Sequence, residues 1–118
     1  MVRTLETAKL IFNDSIPTIV LDELIEHPQG SHLCNKRKIK SHLQELYPNY
    51  SMQISETRSW DDNYESYENL DKRIKKFFDF INTRNENNIA IVTHNSFMQR
   101  ALAIDKVIEH CKIYSQIF

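Results

Sequence analysis

Glycine is almost missing from this chain: among 118 residues there is one, Gly30. It is the only residue that reaches positive φ at little cost, so most turns must rely on asparagine and aspartate, which are plentiful. Cysteine is scarce as well. Cys34 and Cys111 are too few and too far apart to form a disulfide framework, which fits a reducing compartment. Excess charge of one sign is lacking, the formal net charge being −1, so no whole-molecule field argues for nucleic acid or an anionic membrane surface. No apolar run approaches the roughly 18 residues of a spanning helix. The opening MVRTLETAKL lacks the apolar core of a signal peptide. Repeats, low-complexity tracts and linkers are absent too. These exclusions lead to the expectation of one soluble, cytoplasmic domain with a single core.

What is present alternates between helical and strand-like patterns. Arg3 to Asn13 predicts an amphipathic helix with Leu5, Ala8, Leu10, Ile11 and Phe12 on its apolar side. Asp14, Ser15 and Pro17 break it, and Thr18 to Leu21 is a strand candidate. Glu23 to Leu33 has no periodicity and reads as a loop. A helix from Asn35 uses Ile39, Leu43, Leu46 and Tyr47, with Pro48 enforcing the stop. Asn49 to Tyr64 is polar and irregular around Trp60. The longest predicted helix, Glu65 to Arg84, buries Leu70, Ile74, Phe77, Phe78 and Ile81. Asn85 to Asn88 turns into Ile89, Ala90, Ile91 and Val92, a β-branched-rich run of the kind that forms a strand buried on both faces. A helix over Asn95 to Ala103 and a last strand over His110 to Ile117 complete an α/β fold with a mainly parallel sheet flanked by helices.

The stretch Asn88 to Arg100, NIAIVTHNSFMQR, is the most suggestive, because it reads as strand, polar turn, helix. Ligands in open α/β sheets bind beyond the carboxyl ends of strands, and His94 sits at that position. A strand-end histidine can simply be held by neighbouring backbone. An imidazole there can also contact phosphate or carboxylate, and position favours that reading. Arg3, opening the first helix, is electrostatically disfavoured at a helix start unless an anion sits there. By itself it reads as a solvated side chain. Glu23 and Glu26 include a candidate general acid, and spacing alone does not choose between them. His27, His32, Cys34 and His42 match no zinc spacing, so no metal is expected. The basic run Lys36 to Lys40 is short, helical and without interleaved aromatics, so a solvated face is expected rather than nucleic-acid binding.

Taken together, these segments resemble the histidine phosphatase superfamily, also called phosphoglycerate mutase-like. RTLETA at Arg3 to Ala8 resembles the family's second arginine motif. LDELIEHPQGSHLCNKR at Leu21 to Arg37 is similar to the loop that carries its acid. Trp60, Glu65, Ser66 and Arg73 resemble the W…RES…R helix of an intracellular branch. NNIAIVTHNSFM resembles the IAVVTHSGF motif of the second histidine, and HCKIYS at His110 to Ser115 resembles the closing NCExRS strand.

The resemblance implies phosphoryl transfer through a phosphohistidine, without a cofactor. Arg3 then matches the second arginine and His94 the second histidine, both on the phosphate. Glu26 is the acid, with Glu23 second because the loop holds one extra residue. Asn95 and Ser96 stand where the family often has Ser-Gly, which puts Asn95 beside the phosphate. The partner implied is a phosphorylated small molecule or a phosphopeptide, with no nucleic acid and no membrane.

The family's nucleophile lies in an Arg-His-Gly segment on the first strand, upstream of the second arginine motif. No such segment occurs in these 118 residues, which start two residues before Arg3. The expectation is an N-terminally truncated domain with little or no phosphatase activity, since losing a covalent nucleophile costs several powers of ten in rate. The alternatives are a non-catalytic phospho-ligand-binding module and a structural or nucleic-acid role for Lys36 to Lys40. The resemblance also places the missing strand beside Ile89 to Val92, so either the sheet rearranges or a second chain completes it. The span between Leu102 and His110 is also shorter than the family's usual one.

Overall fold

Three residues divide the molecule's apolar interior. In the computed structural model, which describes residues 1–28, 37–56, 65–106, 108–109 and 112–115, strand β1 spans Ile19–Leu21. Side chains alternate across a strand. Val20 accordingly joins one cluster, with Met1, Leu5, Ile25, Leu43, Tyr47, Tyr50, Met52 and Ile54. Leu21 and Ile19 join the other, with Leu70, Phe77 and Phe97 at its centre. Helices α1 (Val2–Phe12) and α2 (Lys40–Leu46) supply the first cluster. Helices α3 (Tyr67–Ile81) and α4 (Asn95–Ala101) supply the second.

The strand partner of β1 is β2, Ser51–Gln53, running parallel with Ile19 opposite Ser51, Val20 opposite Met52 and Leu21 opposite Gln53. Parallel pairing needs a crossover, and α2 lies in it. The α/β class with a parallel sheet therefore stands, with β1 where a strand was expected and β2 where none was. β2 falls in the stretch expected to be irregular, because only Met52 of its three residues is buried and a polar strand gives no apolar alternation.

The run Ile89 to Val92 is the largest departure from expectation. It is not a strand, and Ile89 and Ile91 are substantially exposed. A β-branched run gains its ladder only from a neighbour in register, and among the described residues none lies beside it. Of the last expected strand, residues 112–115 are irregular and exposed. The remainder of that strand, with His110 and Cys111, lies outside the described residues, as do Gly30, His32, Cys34, Lys36 and Trp60.

The helices match their patterns more closely. α3 buries Leu70, Arg73 and Phe77, one stripe at helical spacing, and Ser66 caps it by accepting from the Asn69 N–H at 3.2 Å. α1 buries Leu5 and Ala8, but Leu10 and Ile11 are exposed, correcting their expected place in the core. Met1, Leu5 and Ala8 form a stripe at i, i+4 and i+7, which points Leu10 and Ile11 elsewhere. α2 begins at Lys40 rather than Asn35, because Ile39 is extended and Arg37 is drawn inward to Asp22. The basic run is thus not a uniformly solvated helix face. Asn13 (φ 45°) and Asp14 (φ 58°) take the left-handed turn positions expected of such residues, and Ala103 (φ 50°) is an exception without the usual side chain for it. Among the described residues no helix is long and apolar enough to cross a membrane.

Candidate functional site

The site begins where β1 ends. A single 3₁₀ turn, Asp22–Leu24, follows the strand and leads through extended Ile25 to Glu26 and His27. This segment is anchored by Arg73, which stands within the apolar stripe of α3 and is 6% exposed. Its Nη1 donates to the carbonyls of Glu23 at 2.6 Å and Ile25 at 2.7 Å. Its Nε and Nη2 donate to Glu65 Oε1 at 2.8 Å and Oε2 at 2.7 Å, a bidentate pair. The guanidinium carbon sits 5.5 Å from the centre of the Phe97 ring. A buried guanidinium is tolerable because these partners satisfy it.

Glu65 also lies 3.2 Å from His27 Nδ1. Burial raises the Glu65 pKa, but hydrogen bonding and charge from Arg73, reinforced by His27, outweigh this and hold it below the usual carboxylate value. His27 in turn donates its backbone N–H to Glu26 Oε1 at 2.9 Å. That bond leaves Glu26 Oε2 3.6 Å from His94 Nδ1, an electrostatic contact longer than a hydrogen bond.

His94 is the N-cap residue of α4, with extended backbone and no capping bond from its side chain. Its neighbour Thr93 ties it to the β1 end by donating Oγ1 to the Leu24 carbonyl at 2.9 Å. The imidazole is buried, and its Nε2 has no hydrogen-bond partner. Burial lowers its pKa from 6.5 to about 4, helped by the positive charges of the Met1 amino group, Arg3 and Arg73. His94 is therefore neutral at pH 7. The Glu26 carboxylate favours the proton on Nδ1, which leaves Nε2 as a bare acceptor.

The structure thus brings His94, Glu26 and the charges of Arg3 and Arg73 together. Arg3 is exposed in the first turn of α1, near enough for its charge to act on His94. Glu23 enters through its carbonyl, and of the two acid candidates it is Glu26 whose carboxylate faces the histidine. Asn95 donates Nδ2 to the Ile108 carbonyl at 3.3 Å, while its Oδ1 is buried without a partner. His27 and His42 do not converge: the first meets Glu65, the second Lys38, whose Nζ is 3.0 Å from its Nε2. Arg73's place as the anchor of the acid-bearing loop was not foreseen. An arginine falling between Leu70, Ile74 and Phe77 on one helical stripe is the signal that marks it.

Chemically, this is a buried neutral imidazole with a carboxylate at one side and the charges of Arg3 and Arg73 acting on it.

A sequence profile of the histidine phosphatase superfamily (branch 1) matches residues 1–106. Phosphoglycerate mutase-like protein 1 of Arabidopsis thaliana is 34% identical over 90 residues, 73% of this chain and 32% of that protein. Phosphoglycerate mutase-like protein 2 of the same plant is 35% identical over 78 residues, 63% of this chain and 23% of that protein. A third, named phosphoglycerate mutase-like protein, is 32% identical over 91 residues, 74% of this chain and 34% of that protein. The chain thus spans about a third or less of the length of these curated relatives. No solved structure gives a significant match. With the profile covering nearly all of its length, the chain belongs to the histidine phosphatase superfamily, branch 1.

Proposed function

We propose that these residues form the phosphate-holding and acid-bearing part of a phosphoglycerate mutase-like site, taking a phosphorylated small molecule or a phosphopeptide in the cytoplasm. His94 and Arg3 hold the phosphoryl group, Asn95 lies beside it, and Glu26 protonates the leaving oxygen. The observation that carries this reading is the buried, partnerless Nε2 of His94, with Glu26 3.6 Å from the opposite ring nitrogen and two guanidiniums acting on the ring. A phosphoryl oxygen bearing a proton satisfies that nitrogen.

The 118 residues contain no Arg-His-Gly segment. By themselves they therefore bind without turnover, because Arg3, His94 and Glu26 stabilise charge and move protons but supply no nucleophile in a position to attack. The purified 118-residue chain is expected to hydrolyse phosphomonoesters at the background rate. It is also expected to bind inorganic phosphate or vanadate, with Arg3→Ala weakening that binding about tenfold. Fast hydrolysis abolished by His94→Ala would overturn the absence of turnover. Failure to bind either anion would overturn the phosphate site itself.

A related reading concerns assembly. The exposure of Ile89 and Ile91 supports a second chain supplying a strand beside residues 89–92. A chain that stays monomeric at all concentrations in sedimentation removes it.

A further inference from the structure

Seven consecutive residues, 85 to 91, lie exposed on the surface, and the last three of them are Ile89, Ala90 and Ile91. A single exposed isoleucine is ordinary, but these two flank an alanine in a run with the composition of a buried strand. Among the described residues, no amide and no carbonyl from residue 89 to residue 92 makes a backbone hydrogen bond. None of the four has the positive φ that would bar it from a strand. The run therefore presents an unused row of ladder donors and acceptors.

Such an edge selects its partner by two properties. Free backbone groups are satisfied by another extended segment and not by a helix, whose own groups are already paired. Charge decides the rest. Proteins usually protect an exposed edge with lysine, an inward-pointing charge, proline or a bulge. From Asn87 to Ser96 there is no Lys, Arg, Asp, Glu, Pro or Gly. A charged strand repels its own copy across a two-fold axis, and this one does not. Each copy of the chain also brings the same segment in the same exposed state.

We infer that residues 89–92 form a self-association edge, which pairs antiparallel with the same residues of a second copy about a two-fold axis at Ala90. This rests on the assembly reading given above and adds to it the identity of the partner and the register. A two-fold axis is the commonest symmetry of homo-oligomers, and one perpendicular to the strand makes the two copies antiparallel. Centring it at Ala90 sets Ile89 of each copy opposite Ile91 of the other, so both exposed isoleucines gain a β-branched neighbour. With so few residues a side, the contact falls far below the roughly 800 Å² per partner of a stable complex. The association is weak, with a dissociation constant on the order of 0.1 to 1 mM.

The test is sedimentation of the 118-residue chain at concentrations up to about 1 mM, with backbone amide shifts followed by NMR over the same range. The unaltered chain is expected to move toward the mass of a dimer, and the amides of residues 88 to 92 to shift along the same curve. Ala90→Lys and Ala90→Glu alter an exposed position and leave the interior untouched. Each sets like charges about 5 Å apart across the axis and is expected to weaken association about tenfold or more. Mixed in equal amounts, the two variants are expected to associate again, because lysine then faces glutamate. A chain that stays monomeric throughout would overturn the assembly reading and this inference together. Association that survives Ala90→Lys, or that mixing the two variants does not restore, would overturn the inference and leave assembly through another surface standing. Neither result depends on whether the chain binds phosphate.

Discussion

Arg37 and Arg73 are equally buried, each 6% exposed, and both grip the segment that follows β1, yet they differ in what else they touch. Arg37 Nη1 and Nη2 donate to the carbonyls of Lys38 and Ser55, both at 2.8 Å, and Nη2 also donates to Ser55 Oγ at 3.2 Å. Its Nε is 2.8 Å from Asp22 Oδ1, close enough for an ion pair though not aligned as a hydrogen bond. Asp22 Oδ2 then accepts from the backbone and hydroxyl of Ser55, so this network joins the segment after β1 to the segment after β2. Arg73 instead continues through Glu65 to His27, and its charge reaches His94. One arginine fastens the acid-bearing segment to the β2 side. The other fastens it to α3 and adds its charge to those of the Met1 amino group and Arg3 acting on His94, the smallest of the three. Burial alone does not tell a structural charge from one with a second task, but the extent of its field does.

Removing Arg73 gives the largest expected effect. Arg73→Ala leaves the Glu65 carboxylate and the carbonyls of Glu23 and Ile25 without their donor, and is expected to cost roughly 3 to 5 kcal/mol in urea denaturation. In a variant that remains folded, such as Arg73→Lys, the His94 titration followed by NMR moves only slightly, because a positive charge is kept. Arg73→Met raises the His94 pKa part of the way toward 6.5, burial still opposing the charged form.

The pH dependence of stability comes next. His94 has a folded pKa of about 4 against 6.5 for a free histidine, so between these values the unfolded chain takes up a proton that the folded chain refuses. Its contribution is therefore present above pH 6.5 and is lost as pH falls toward 4, with a total on the order of 3 kcal/mol. Subtracting the denaturation profile of His94→Gln from that of the unaltered chain isolates this slope. A difference that is flat over the window contradicts it.

Arg37→Ala sharpens the contrast from the other side. Asp22 is partly open to water, so the loss is smaller, about 2 kcal/mol. The His94 titration should stay where it is, and a shift comparable to that in Arg73→Met would remove the distinction between the two arginines. Smallest of all is the exposed pair of Arg100 with Asp71, bidentate at 2.7 Å. Asp71→Asn is expected to leave the denaturation midpoint unchanged, since solvated pairs contribute little.

Periodicity made the helices legible: α3 came from the spacing of Leu70, Ile74, Phe77 and Ile81, and β1 from a short apolar run bounded by breakers. What escaped was whatever depends on a distant partner. Ser51, Met52 and Gln53 become a strand because β1 offers them a ladder, and nothing in their own composition announces it. Ile89 to Val92 have the composition of a strand and no ladder to join. Leu10 and Ile11 looked like core because apolarity was read without the direction of the stripe set by Leu5 and Ala8. At the site, Arg3, Glu26 and His94 were singled out through a resemblance carried by ordered motifs. The buried role of Arg73 needed the path of the loop in space.

The wall formed by β1 has a consequence for amide exchange. Val20 is buried in the β1–β2 ladder, so its backbone hydrogen should be among the slowest to exchange. None of the amides from residue 88 to 94 donates to a backbone carbonyl among the described residues, so these should exchange fast. Glu26 hangs from the slow side of that boundary and His94 from the fast side. The 3.6 Å between them is therefore a distance across a seam, one that a ligand gripping both residues would be expected to close, slowing exchange at residues 93 and 94 first.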